Sequence, residues 1–98
     1  MRLVAFETSC DETSVAVIRD GTVLANLVSS QIALHAKYGG VVPELATREH
    51  LRNLLPVARG ALEKAAIDIS QIDAIAATQG PGLPSALMIG LKAAQAFA

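Results

Sequence analysis

Apolar residues recur along this chain in two different periods, and the change of period divides it. Residues 2–7, RLVAFE, form a short run rich in apolar side chains that reads as a buried strand. SVAVIRD follows after a polar interruption and alternates with period two through Val15 and Val17. Asp20-Gly21 is then a strong hairpin signal, because both residues accept the left-handed backbone of a tight turn. TVLANLVSSQ resumes a strand pattern, so the first third predicts three sequential strands in a meander. QIALHAKYGGVV is looser, and Gly39-Gly40 punctuates it ahead of Pro43. Proline suits the first helical position, and Glu44 suits the positive end of a helix dipole. From there Leu51, Leu54, Leu55, Ala58, Ala61, Leu62 and Ala65 fall at helical spacing, predicting one amphipathic helix from about Pro43 to Ala65. Pro56 inside it removes one backbone bond and is expected to kink it. A strand is expected over about Ile72–Thr78, then GPGLP breaks the chain, and Pro84 starts a last helix. The order is β-β-β-α-β-α, an α/β chain with no internal repeat. The last helix runs into Ala98 with no Gly, Asn, Pro or polar tail to stop it, so the chain reads as a truncated portion of a single domain.

Composition narrows this. Ninety-eight residues allow one core and no second domain. The chain is 52% apolar but only 3% aromatic, so its core is built from Ala, Leu, Ile and Val, which favours close packing of helices and sheet. A net charge of −1 argues against a strongly basic nucleic-acid module. Cys10 is the one cysteine, which excludes an internal disulfide and fits a reducing cytoplasm. LVAF is too short for the core of a signal peptide. LPSALMIGLKAAQAFA, the longest apolar stretch, is too short and too interrupted to span a bilayer. A soluble cytoplasmic protein is expected.

Candidate chemistry begins with the polar interruption, ETSCDETSVAV. Glu7, Asp11 and Glu12 crowd together among the hydroxyls of Thr8, Ser9, Thr13 and Ser14. Backbone N–H groups and hydroxyls in a tight turn can cradle a phosphate, while carboxylates hold a cation or position water. A solvated polar hairpin tip is the competing reading. TQGPGLP is a strand-to-helix turn in which Gly80 and Gly82 allow close backbone approach by a ligand; equally, its Gly and Pro residues only punctuate a βα connection. His35 and His50 have no recognised metal spacing and read as surface or hydrogen-bonding histidines rather than ligands. Arg48, Arg52 and Arg59 share a helix face, with Glu63 four residues after Arg59, and read as solvated. Cys10 beside Asp11 has no cationic activator, which speaks against a nucleophile.

ETSCDETSVAV, HAKYGGVVPELATREH and TQGPGLPSALMIGLKAA together resemble the N-terminal part of the TsaD family, the tRNA threonylcarbamoyladenosine transferases once labelled O-sialoglycoprotein endopeptidases or glycoproteases. The resemblance covers essentially the whole chain, and its first two motifs are specific. It implies a partial actin-like, RNase H-like (ASKHA) lobe, a mixed sheet with helices packed on it. By the resemblance, Thr8, Ser9, Cys10 and Thr13 line the phosphate side of an interlobe cleft; Gly80 and Gly82 of the glycine-bearing turn join them as expected phosphate- or substrate-binding residues. Asp11 and Glu12 are then the acidic pair needed for activity, and Glu7 supports the turn. The family reaction moves a threonylcarbamoyl group from an adenylate to adenosine 37 of tRNAs that read ANN codons. Its divalent metal, iron or zinc, sits on an HxxxH motif and a distant aspartate, none of which this chain carries. The fragment is therefore expected to hold no metal or other cofactor and to be inactive alone. The full-length protein is expected to use the metal and the adenylate or ATP. The peptidase label finds no support in these residues. Ser85 departs from the Gly or Ala of many members.

The same resemblance implies partners: a TsaB-like paralogue packed on the helices of this lobe, other members of the threonylcarbamoylation complex, and tRNA. Ala93, Ala94 and Ala96 would allow close helix approach there, unless they pack only on their own sheet or on the rest of the protein. Exposed apolar surface would make the fragment self-associate. A non-catalytic TsaB-like scaffold is the alternative, disfavoured because such proteins lack the CDE turn and the HxxYGGVVPE segment. Another phosphate-transferring ASKHA enzyme, an acetate or sugar kinase, is disfavoured by the first-turn pattern.

Overall fold

The computed structural model describes residues 1–97; the expectation about the chain's end at Ala98 lies outside the described residues. Strands β1 (Arg2–Glu7), β2 (Glu12–Arg19) and β3 (Thr22–Ser30) form the meander. Two helices follow, α1 (Ile32–Ala36) and α2 (Pro43–Ala65), then β4 (Ala74–Ala77) and α3 (Pro84–Phe97). The sheet order is β3-β2-β1-β4, with β4 parallel to β1 and the other pairs antiparallel. The sheet is therefore mixed, as the resemblance implied. Asp20 and Gly21 take φ of 51° and 81°, which is the left-handed pair a two-residue hairpin needs.

Strand alternation puts one row of each strand on the helical side. Phe6 pairs with Val15 and Val4 with Val17, while Leu27 and Ala25 stand opposite those two valines on β3. Ile75 and Ala77 continue the rows on β4. Val4, Phe6, Val15, Val17 and Ala25 are buried against Leu54, Ala58, Ala61 and Ile67. Each large side chain fully removed from water contributes about 1.5–3 kcal/mol, so this one seam dominates the stability. Helix α2 lies over β2 and β3, and α3 over β1 and β4.

Three details differ from the sequence pattern. The loose segment contains α1, a turn and a half of helix. Strand β4 is shorter than expected, because only Ala74–Ala77 pair with β1, and Ile69–Gln71 form a 3-10 turn in front of it. Asp68 caps that turn by accepting from the Ser70 N–H and hydroxyl at 2.9 and 2.7 Å, which holds its carboxyl below the ordinary carboxylate range. Helix α2 is also rotated relative to its leucine pattern. Its buried row is Ala46, His50, Leu54, Ala58 and Ala61, whereas Leu51 and Leu55 are 65% and 54% exposed. Small alanines bring the helix axis close to the sheet, which two leucines in that row would not allow. The helix continues through Pro56, whose side is exposed, so the carbonyl it leaves unpaired faces water. Arg48, Arg52 and Arg59 are exposed as expected. Ala93 and Ala94 pack on the core of this chain, and Ala96 is exposed.

At Gly90 helix α3 lies close to Thr8, just past β1, and an added Cβ would meet the Thr8 hydroxyl at 2.8 Å. That hydroxyl is pinned, donating to the Ala86 carbonyl at 2.7 Å and accepting from the Gly90 N–H at 3.1 Å. At Gly60 on α2 the nearest atom is the mobile end of Leu27, at 2.9 Å. Replacing a mid-helix glycine by alanine gains about 1 kcal/mol of helix propensity, and overpacking a rigid neighbour costs about 1–3 kcal/mol. Gly90→Ala is therefore expected to lower the urea midpoint, and Gly60→Ala to hold or raise it. Equal midpoints for the two variants would show that Thr8 yields as easily as Leu27.

Candidate functional site

The acidic turn connects β1 to β2, with Glu7 closing the first strand and Glu12 opening the second. Thr8 and Thr13 extend the inward rows of the two strands, following Phe6 and preceding Val15 at spacing two. They are 1% and 0% exposed. The Thr8 hydroxyl is held by α3 as described, and the Thr13 hydroxyl lies 2.8 Å from Nδ1 of His50. Both hydroxyls thus serve the interior, and neither faces outward to line a phosphate side. Strand register is the reason: a residue on the buried face of a pleated strand cannot present its side chain to the opposite side.

Ser9, Cys10, Asp11 and Glu12 remain partly exposed, and three anchors shape the backbone through them. The Ser9 carbonyl accepts from the Leu83 N–H at 2.7 Å, at the entry to α3. The Cys10 carbonyl accepts from Nε2–H of His50 on α2 at 2.8 Å. The Asp11 carbonyl accepts from the Gln31 N–H at 2.8 Å, just past β3. In a trans peptide the N–H points opposite to the carbonyl, so the N–H groups of Cys10, Asp11 and Glu12 face away from these anchors. The Asp11 N–H lies against the Cys10 sulfur. Glu7 supports the turn from its base, its Oε1 accepting from the Ser9 N–H at 2.8 Å.

The glycine-rich turn is brought against this one. An added Cβ on Gly82 would meet the Ser9 carbonyl oxygen at 2.6 Å, so the absent side chain there is required by turn-to-turn packing. Gly80 has open space around it and is exposed. Ser85 hydrogen-bonds Thr47 of α2 at 2.7 Å, which ties the start of α3 to that helix.

Both histidines are buried and hydrogen-bonded rather than on the surface. His35 donates from Nε2 to the Gln31 side-chain oxygen at 2.7 Å and accepts the Val42 N–H on Nδ1 at 3.0 Å. His50 was legible as part of the inward face, since it stands four residues from Ala46 and from Leu54. With both nitrogens of each ring engaged, neither histidine is free to bind a metal. Among the described residues no group of three or more His, Cys, Asp or Glu side chains converges as a metal site. Arg52 pairs with Glu49 at 3.5 Å on the exposed face, an interaction worth little in water. Among the described residues no helix is long and apolar enough to cross a membrane.

Burial raises the Cys10 thiol pKa first, and the carboxylates of Asp11 and Glu7 raise it further. The thiol thus stays protonated to higher pH than a free cysteine, which suits an inert side chain and not a nucleophile. Iodoacetamide at pH 8 is expected to alkylate Cys10 in the folded chain several-fold more slowly than in urea, and Asp11→Asn to recover part of the difference. Equal rates in folded and unfolded chain would remove the electrostatic account.

The family model for TsaD, tRNA N6-adenosine threonylcarbamoyltransferase, matches residues 22–98. A tRNA N6-adenosine threonylcarbamoyltransferase from Trichlorobacter lovleyi is 54% identical over all of this chain and 29% of its own length. One from Syntrophobacter fumaroxidans is 56% identical with the same coverage. Among solved structures, YeaZ from Pseudomonas aeruginosa matches with a TM-score of 0.74 and 31% identity, over 99% of this chain and 38% of that one. The chain thus spans less than a third of the length of these curated relatives, at their N-terminal part. Its fold is of the ASKHA type.

Proposed function

We propose a function from one premise: the chain belongs to the tRNA N6-adenosine threonylcarbamoyltransferase family, TsaD. In this reading residues 1–98 are the N-terminal part of a single domain of a cytoplasmic transferase that moves a threonylcarbamoyl group from an adenylate onto a tRNA adenosine. The acidic turn is the substrate-facing part. The observation that carries this is the set of three inward-tied carbonyls, which leaves the Cys10 and Glu12 N–H groups pointing away from those anchors, beside two partly exposed carboxylates. Such N–H groups attract an anion such as the phosphate of the adenylate. Asp11 and Glu12 act next to it by holding water, a cation or the amine that is acylated. Ser9, Cys10 and Gly80 line the same opening. Thr8, Thr13 and Gly82 hold it in shape without touching the substrate.

The metal of the full-length enzyme finds no ligands here, since both histidines are committed to internal hydrogen bonds. No step is assigned to it, and its ligands belong to other parts of the full-length protein. The chain alone is then inactive. Higher identity to the transferases than to YeaZ favours this reading over a non-catalytic scaffold.

The natural test is a chimera in which this chain replaces the matching N-terminal segment of the Trichlorobacter lovleyi enzyme. Asp11→Ala and Glu12→Ala should each lower tRNA threonylcarbamoylation by about 100-fold or more, as loss of acid–base or electrostatic groups does, with the melting temperature little changed. Modification at the unsubstituted rate in both variants would refute the role.

For partners, the reading is a TsaB-like paralogue docked on α2 and α3, alongside the other members of the complex and tRNA. Leu51 and Leu55 on α2 and Met88 on α3 support it, because they expose apolar surface on both helices. The likeness to YeaZ supports a partner of the same fold. Without one, those residues favour self-association. Leu51→Glu with Leu55→Glu should abolish heterodimer formation in light scattering, and an unchanged heterodimer mass would move the interface elsewhere.

A further inference from the structure

The segment HAKYGGVVPELATREH ends on a histidine that the proposed chemistry leaves unused. His50 is fully buried, yet both its nitrogens reach the acidic turn from α2, Nε2 across 40 residues of sequence and Nδ1 across 37. Nε2 faces the Cys10 carbonyl, which can only accept, so Nε2 carries a proton; in the neutral ring Nδ1 then accepts from the Thr13 hydroxyl. Cys10 and Thr13 flank Asp11 and Glu12 on either side. One rigid aromatic ring therefore ties both ends of the acidic pair.

We propose that His50 is a positioning residue for the acidic turn, fixing through the Cys10 carbonyl and the Thr13 hydroxyl the placement of Asp11 and Glu12 toward a phosphate-bearing substrate. This rests on the functional reading above. Of the three donors that shape the turn, those from Gln31 and Leu83 are backbone amides. His50 supplies the third from a side chain, so it is the anchor that substitution can remove or restore. Its ring also sets a fixed separation between its two partners, which a flexible side chain would not. Thr13 is the polar end of the buried row of β2, so the clamp is built on the same register that holds the core. Helix α2 is pressed onto the sheet by Ala46, Leu54, Ala58 and Ala61, which gives the ring an immobile base.

Two amides separate the ends of the clamp. A glutamine at position 50 can place its N–H near the site of Nε2 and keep the bond to Cys10. An asparagine is shorter, reaches the Nδ1 site and Thr13, and leaves the Cys10 carbonyl without its donor. In the full-length chimera, supplied with its partner proteins, tRNA and the threonylcarbamoyl-adenylate, His50→Gln should keep kcat within about 3-fold of the unsubstituted enzyme. His50→Asn should lose about 10–100-fold in kcat, as small misplacements of reacting groups do, with KM for tRNA unchanged and a melting temperature close to that of the Gln variant. Equal kcat for Gln and Asn, or losses that simply follow melting temperature, would overturn the proposal and leave His50 a structural residue. Should the Asn variant not fold, Thr13→Val cuts the other end of the clamp without disturbing Nε2; it too should lower kcat at constant KM for tRNA, and an unsubstituted kcat there would overturn the proposal. Asp11→Ala serves as the reference. If it retains full rate, the functional reading fails and the clamp with it; if it is inactive while Asn matches Gln, only the clamp fails.

Discussion

Three neighbouring carbonyls, those of Ser9, Cys10 and Asp11, accept hydrogen bonds from three separate elements, and much of the molecule is arranged to deliver those donors. A turn dense in carboxylates repels itself, and its local bond from the Ser9 N–H to Glu7 fixes only its base. It needs fixed donors that water would not supply in a constant geometry. The end of β3 brings the Gln31 N–H, α2 brings His50, and the entry to α3 brings the Leu83 N–H. Each donor depends on its element lying in one place, so the packing of both helices and the pairing of β3 are coupled to the shape of this turn.

The core explains how the elements can meet there. Valine and phenylalanine rows on β1 and β2 form an apolar seam that ends, at the turn, in two buried threonines. Buried hydroxyls are tolerated only when paired. Thr8 is satisfied by the backbone of α3 and Thr13 by His50, so the same bonds that remove the polar penalty also lock the helices to the strands. Glycine at 90 and 82 and alanine along α2 let backbones approach closely enough for this. Larger side chains would strengthen the apolar seam but push the donors out of reach.

A second polar layer supports the first. Gln31 and His35 tie α1 to the start of α2, through the Ala46 carbonyl and the Val42 N–H. The HAKYGGVVPELATREH segment therefore works as a strap from the end of β3 to His50. In the TsaD family reading, a motif distant from the acidic turn in sequence is part of the same site in space. The two glycine-bearing turns likewise meet through Ser9, so the three segments that carried the family resemblance are the three that converge on one end of the sheet.

The sequence by itself determined the elements whose signals are local. Strand alternation, the Asp20-Gly21 hairpin, Pro43 and Pro84 at helix starts and the absence of a long apolar run follow from period and turn chemistry within a few residues. The family motifs were legible for the same reason, being contiguous. The tertiary structure alone decided what the inward-facing polar groups meet. Helix α2 turns His50 and its alanines to the sheet and leaves Leu51 and Leu55 outside, because helix-to-sheet distance is a property of two elements together. The short helix α1 has too few residues for a periodic signal. Thr8 and Thr13 share a hydroxyl chemistry with Ser9, yet strand register buries the first two and leaves the third at the opening. Counting in twos from Phe6 and Val15 shows which face they occupy, but only the partner atoms on α2 and α3 show what that face is for.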